Sequence, residues 1–135
     1  IGKGVKKMGY KISDISKKTG LSAYTLRFYD QKGLLPFVAR DKHGRRHFKD
    51  EDLAFLSIIT CLKNTGMQLN DIKKFVEWSM DGDPTYEKRL DFFTKHKKEV
   101  EKQLAQTQAY LDKINRKIDK YTRQHEAASR NDNID

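Results

Sequence analysis

Disulfide frameworks, metal clusters and membrane spans all require residues that this chain has in short supply. Cys61 is the only cysteine among 135 residues, which excludes an internal disulfide and any zinc site built from several cysteines. No stretch approaches the roughly 18 apolar residues that a membrane helix needs, and no signal-peptide pattern is visible. We therefore expect a cytoplasmic protein with no membrane partner, no metal site and no other cofactor.

Hydrophobic residues are also scarce, at 36%, whereas charged residues make up 35% of the chain. This composition is too polar for one large core and favours a small domain joined to a long, solvated helix. Residues 1–49 contain 13 Lys and Arg against 3 Asp and Glu, and the remaining residues contain 15 against 16. The positive charge is concentrated where it can attract phosphates, which favours a nucleic-acid partner over a basic surface kept only for solubility.

Two short helices joined by a tight turn are predicted within the basic segment. The first is capped by Ser13 and ends near Lys18, and Gly20 supplies the positive φ of the turn. The second is capped by Ser22 and covers residues 23–31. Three leucines are predicted to pack inward: Leu26 within this helix, and Leu34 and Leu35 just after it. Such a pair of helices can place the second one in the major groove of DNA.

A basic hairpin is predicted after Pro36. Asp41 and Gly44 bracket a turn between two short extended segments. The hairpin carries four cationic side chains: Arg40, Lys42, Arg45 and Arg46. A basic hairpin that follows a helix-turn-helix is a wing, and its arginines would contact the DNA backbone or the minor groove.

Two further helices follow the wing. Residues 50–52 are all acidic and suit the first turn of a third helix, which Gly66 ends. A fourth helix is predicted to begin near Gln68. The apolar stripe of the third helix is Phe55, Ile58, Ile59 and Leu62, and that of the fourth is Leu69, Ile72, Val76 and Met80.

A long apolar seam begins at Leu90, where apolar residues start to alternate in steps of three and four. It extends over roughly 48 Å at about 1.5 Å per residue. A stripe this narrow needs a partner helix, and the alternative, packing along its own domain, is disfavoured because the preceding helices are too short to cover it. The ten positions of the seam are Leu90, Phe93, Lys97, Val100, Leu104, Thr107, Leu111, Ile114, Ile118 and Tyr121. Eight of them are apolar, and the exceptions are Lys97 and Thr107.

Four motifs, in order, resemble those of MerR-type transcriptional regulators. The run Thr25-Leu-Arg-Phe-Tyr-Asp-Gln-Lys-Gly-Leu-Leu-Pro36 is similar to the family's T-L-R-Y-Y-E-x-x-G-L-L/I-P, and residues 44–48 are similar to its G-Y-R-x-Y wing motif. The third motif is Asp50-Glu-Asp-Leu53. The fourth is residues 63–72, which are similar to the family's L-x-x-x-G-x-x-L-x-x-I segment. Arg45 stands where an aromatic residue is common and Phe48 replaces a tyrosine, and neither departure threatens the fold.

The resemblance implies a winged helix-turn-helix and an antiparallel coiled-coil homodimer on a pseudo-palindromic promoter operator. Such regulators bend and untwist an over-long promoter spacer for RNA polymerase, so specificity rests partly on the cost of deforming DNA. Tyr29 and Arg46 match positions that hold backbone phosphates, although core packing is the alternative for Tyr29. The implied DNA-binding residues are Ser22, Ala23, Tyr24, Arg27, Tyr29, Arg40, Lys42, Arg45 and Arg46.

The patterns and the resemblance together predict a mainly all-α chain in four parts. Residues 1–9 are a flexible arm or an added remnant, and residues 10–80 are the winged helix-turn-helix domain. Residues 81–123 are a linker and the antiparallel coiled-coil dimerisation helix. Residues 124–135 are expected to be disordered because they are polar and terminal.

Cys61 is the candidate effector residue. It lies off the stripe of the third helix, and its Cys-x-x-x-x-Gly spacing resembles a branch of the family that responds to aldehydes and other electrophiles. A thiolate there would be alkylated or oxidised. The alternatives are a buried, inert cysteine and a non-covalent small-molecule inducer. A metal switch is disfavoured because the paired cysteines of metal-sensing members are absent, and His43 and His47 flank a hairpin turn.

Two other classes of function compete with a DNA-binding regulator. A coiled-coil adaptor with a basic head would bind a protein or a membrane, but the basic charge coincides with recognition-helix and wing motifs rather than with an amphipathic membrane face. An enzyme is disfavoured because no Ser/His/Asp set, phosphate loop or carboxylate pair is apparent.

Overall fold

A computed structural model describes residues 9–134, so the predicted arm lies outside the described residues except for Gly9. Most of the described chain is helical, which confirms the mainly all-α fold. The elements are α1 (Ile12–Thr19), α2 (Ala23–Gln31), β1 (Ala39–Arg40), β2 (Arg46–His47), α3 (Asp50–Asn64), α4 (Leu69–Asp81), a 3₁₀ turn (Asp83–Thr85) and α5 (Tyr86–Ile134).

The described chain divides into two compact units, which we call the head (residues 9–93) and the α5 extension (residues 94–134). The head ends at Phe93 rather than at the predicted residue 80, because Phe92 and Phe93 pack their rings against Phe75 of α4. Helix α5 continues to Ile134, through the segment for which we predicted a disordered tail. Polarity misled that prediction, since residues 126–130 are mostly strong helix formers.

The helix-turn-helix is defined by local hydrogen bonds at its caps. The Lys11 N–H donates to the Asp14 carboxylate at 3.1 Å, so α1 begins at Ile12 and the predicted cap at Ser13 is wrong. Gly20 has the expected positive φ, 78°. The Ser22 cap is confirmed, because the Thr25 N–H donates to Ser22 Oγ at 3.0 Å. These bonds satisfy N–H groups that a helix start would otherwise leave unpaired.

The wing is the antiparallel hairpin of β1 and β2, in which Ala39 lies opposite His47 and Arg40 opposite Arg46. Tyr10 and Phe48 continue the pairing: the Tyr10 N–H donates to the Phe48 carbonyl at 2.6 Å, and the Phe48 N–H donates back at 2.9 Å. This bridge fixes the chain that enters α1 beside the wing.

Leu26, Leu34 and Leu35 are buried in the core of the head, which confirms that they pack inward. The stripes predicted for α3 and α4 are partly wrong, since Leu56 and Phe75 are buried without having been predicted and Met80 is 54% exposed. Phe55 and Ile58 pack against the core and are only partly buried. The core residues include Ile15, Leu26, Tyr29, Leu34, Leu35, Phe48, Leu56, Ile59, Leu62, Ile72, Phe75 and Val76.

Candidate nucleic-acid interface

The exposed face of α2 starts at its N-terminus. Ser22 is exposed and Ala23 is half-buried. Tyr24 is 78% exposed, and Arg27, which shares its face because the two are three residues apart, is exposed as well. A phenol hydroxyl and a guanidinium group can both donate hydrogen bonds to phosphate oxygens or base edges. This face therefore offers the donors that a recognition helix needs.

Tyr29 lies on the opposite side of α2, in the core, and is only 2% exposed. Burial raises the pKa of its phenol, and an interaction with the hydroxyl of Thr60 on α3 partly opposes that rise. The core-packing alternative is the one that the structure shows. We therefore correct the prediction of a phosphate contact and leave Tyr29 out of the DNA-facing set.

The turn of the wing is organised around the side chain of Asp41. The N–H groups of His43 and Arg45 donate to Asp41 Oδ1 at 2.8 and 2.9 Å, and Gly44 takes the positive φ of 80° that the turn requires. The bond from the Arg45 N–H is the main reason that the pKa of the Asp41 carboxyl is lowered. The turn therefore keeps these bonds at neutral pH and loses them only as the pH falls through the lowered pKa.

Two of the three wing arginines, Arg40 and Arg46, form ion pairs with a carboxylate of α2. Arg46 places Nη2 at 2.7 Å and Nε at 2.8 Å from Asp30 Oδ2 of α2. Arg40 places Nη2 at 2.6 Å from the same oxygen, and its Nη1 donates to the Gly44 carbonyl at 2.8 Å. Lys42 and Arg45 are exposed at the tip of the wing. Sequence reasoning missed the contact made by Asp30, although this residue is acidic within a strongly basic segment and stands at the glutamate position of the T-L-R-Y-Y-E motif.

The α5 extension has an exposed apolar line at the predicted seam positions. Five of these side chains are between 46% and 70% exposed: Leu104, Leu111, Ile114, Ile118 and Tyr121. Val100 is half-buried. The first two predicted seam residues belong to the head, where Leu90 is exposed and the Phe93 ring packs edge-on to Phe75 at 5.1 Å between centroids. Phe93 therefore contributes to the core of the head.

Cys61 is exposed on α3, on the same side as Ala54, as the sequence pattern predicted. Its thiol is accessible on the surface of the single chain, whereas the inert alternative places it in a core. Among the side chains that the structure describes, no three of the types His, Cys, Asp and Glu are grouped so that they could hold a metal ion. Within residues 9–134, none of the helices has the length and apolar character required to cross a membrane.

Comparison with known proteins identifies the class to which these features belong. Two family profiles match: "MerR HTH family regulatory protein" over residues 10–77 and "MerR, DNA binding" over residues 53–124. The chain belongs to the MerR family of DNA-binding transcriptional regulators. A relative from Haemophilus influenzae, described as an uncharacterized HTH-type transcriptional regulator, is 50% identical to this chain, and the match covers 82% of each protein.

Solved structures of MerR proteins have the same fold. HiNmlR, described as a MerR family regulator that lacks the sensor domain and is bound to promoter DNA, matches with a TM-score of 0.79 and 49% identity, over 86% of this chain and 92% of its own. A MerR-family transcriptional regulator from Bacillus thuringiensis matches with a TM-score of 0.78 and 41% identity, over 84% of this chain and 99% of its own. These MerR relatives are transcription regulators, a class distinct from enzymes.

Proposed function

We propose that this MerR protein binds promoter DNA with the exposed face of α2 and with the wing. The observation that carries the proposal is the contact of Arg40 and Arg46 with Asp30, which holds the basic wing beside α2. A helix in the major groove and a wing on the flanking backbone then belong to one rigid surface. The description of HiNmlR as bound to promoter DNA supports the same role for the corresponding surface here.

The proposed contacts divide into two kinds. Tyr24 and Arg27 would read base edges or hold nearby phosphates, because both are exposed on one face of α2. The N-terminal end of α2 and the wing would hold the backbone, which sets register but carries no sequence information. The backbone contacts proposed are Ser22, Ala23, Arg40, Lys42, Arg45 and Arg46.

We also propose that two copies pair through their α5 extensions as an antiparallel coiled coil. The exposed apolar line of the extension supports this. Side chains such as Leu104 and Ile114 are exposed in the single chain, and packing against a second helix would bury them. A two-fold symmetric dimer presents two identical surfaces to DNA, which matches a pseudo-palindromic operator.

For transcription, we propose that the dimer bends and untwists an over-long promoter spacer so that RNA polymerase can engage both promoter elements. Deforming DNA costs several kilocalories per mole in typical complexes, roughly 1–6 kcal/mol. Two heads that hold the backbone on either side of the spacer supply the contacts that can offset this cost. RNA polymerase is thus the second macromolecular partner of the proposed complex.

A genome-wide binding map followed by nuclease footprinting tests the proposal. We expect protection of a pseudo-palindrome inside a promoter, enhanced cleavage at its centre, and loss of regulation when the spacer is shortened to the usual length. Binding that random-sequence competitor removes as easily as operator DNA would contradict the proposal. That result would favour the adaptor with a basic head, to be followed up by looking for a bound protein or membrane.

We further propose that Cys61 switches this regulator by reacting with an electrophile. Its exposure on α3 supports the idea, since a small aldehyde or oxidant can reach the thiol. An adduct would add bulk and polarity to the surface of α3 and so change its packing in the assembled complex. A non-covalent inducer with an inactive Cys61 is the competing interpretation.

Cys61→Ser is expected to keep operator binding and to abolish aldehyde-induced transcription, because serine preserves the size of the side chain without the nucleophilic thiolate. Reporter transcription with and without aldehyde measures the response, and intact-protein mass spectrometry of the wild type checks for the adduct. Cys61→Ala is the matched control for an effect of the serine hydroxyl. Normal aldehyde-induced transcription in both variants would contradict the proposal that Cys61 is the switch and would favour the non-covalent inducer.

A further inference from the structure

One carboxylate of α2 accepts hydrogen bonds from both strands of the wing. Asp30 Oδ2 receives Arg46 from β2 through Nε and Nη2, and Arg40 from β1 through Nη2, all within 2.6 to 2.8 Å. The side chains of Asp30 and Arg46 are only 16% and 19% exposed, whereas that of Arg40 is 50% exposed. Because solvent weakens exposed ion pairs, Arg46 is the partner that fixes the geometry, and Arg40 contributes less.

We propose that Asp30 is a positioning residue for DNA binding, which sets the orientation of the wing relative to α2. The inference rests on the proposed use of α2 and the wing as one DNA-binding surface. Arg40 also donates to the Gly44 carbonyl, so the Asp30 contact extends from α2 to the turn of the wing. A wing held in this way loses less conformational entropy when it binds DNA, so less of the binding free energy is spent on ordering it.

The cluster remains suited to phosphate binding despite its internal ion pairs. One carboxylate between two guanidinium groups leaves a net positive charge, and a guanidinium carries more N–H donors than Asp30 occupies. Asp30 therefore orients Arg40 and Arg46 without cancelling their attraction for DNA. Removing the carboxylate adds net positive charge to the surface, which favours binding to any DNA. It also releases the wing, so the preference for operator DNA over random DNA is expected to fall.

Asp30→Asn is expected to lower the ratio of operator affinity to random-DNA affinity by about tenfold, with random-DNA affinity unchanged or higher. Amide hydrogen exchange in β1 and β2 should become faster in the free protein, while exchange in α3 and α4 stays unchanged. Asp30→Glu, which keeps the carboxylate, should recover most of the ratio. Glu77→Gln, which removes an exposed negative charge from α4, is the control for charge alone.

The outcomes separate this inference from the proposed function. A wild-type protein without operator preference would refute the proposed function before any variant is compared. If Asp30→Asn keeps both the wild-type affinity ratio and the wild-type exchange in the wing, the positioning role is overturned. Asp30→Ser tests the same carboxylate should the asparagine variant fail to fold, and an equal loss of both affinities in a folded variant also counts against the inference.

Discussion

Replacing Ile114 with glutamate is expected to convert the protein from a dimer to a monomer and to weaken operator binding by about 100-fold or more. Ile114 is exposed within the apolar seam of the α5 extension. In the proposed coiled coil it would be buried, and an ionised carboxylate cannot be buried there without a charged or hydrogen-bonding partner. Each head would then have to bind its half-site alone, without the effective concentration that the other head supplies.

Light scattering during size-exclusion chromatography measures the oligomeric state, and a fluorescence titration with operator DNA measures the affinity. Ala109→Glu is the matched control, because it makes the same charge change at an exposed position off the seam. It should leave both measurements unchanged. A dimeric Ile114→Glu variant would contradict the proposed interface, and a wild-type monomer would refute dimerisation itself.

The features that could be predicted from sequence are those that neighbouring residues specify. Gly20 and the Ser22 cap depend on residues within one turn of helix, and so does the wing turn between Asp41 and Gly44. The same holds for the apolar line of α5, because a repeat of three and four residues defines one face of a helix wherever that helix lies. Local chemistry is sufficient to predict these elements.

The features that could not be predicted depend on contacts between distant parts of the chain. Asp30 is 10 residues from Arg40 and 16 from Arg46, and nothing in the spacing shows that the three side chains converge. Periodicity placed Met80 on the buried stripe of α4, but it cannot indicate where the packing partner of a helix ends. Sequence therefore indicated the basic residues of the proposed interface but not the carboxylate that contacts two of them.

Arg27→Ala is expected to weaken operator binding by about 10- to 100-fold while leaving random-DNA binding within a few-fold of the wild type. Arg27 is exposed on the same face of α2 as Tyr24. A guanidinium in the major groove can make two parallel hydrogen bonds to a guanine edge, which are lost together on truncation. One lost charge by itself would weaken operator and random DNA alike, since phosphate attraction carries no sequence information.

Two further variants separate these contributions. Arg27→Lys keeps the charge but not the planar fork, so it should recover random-DNA affinity and little of the operator preference. Lys102→Ala removes an exposed charge outside the head and should leave the operator preference unchanged. Competition titrations of operator against random duplex, at two salt concentrations, measure all three variants. If Arg27→Ala reduces both affinities equally, Arg27 binds phosphate rather than bases, and sequence reading must come from other residues on α2 or from the shape of the DNA.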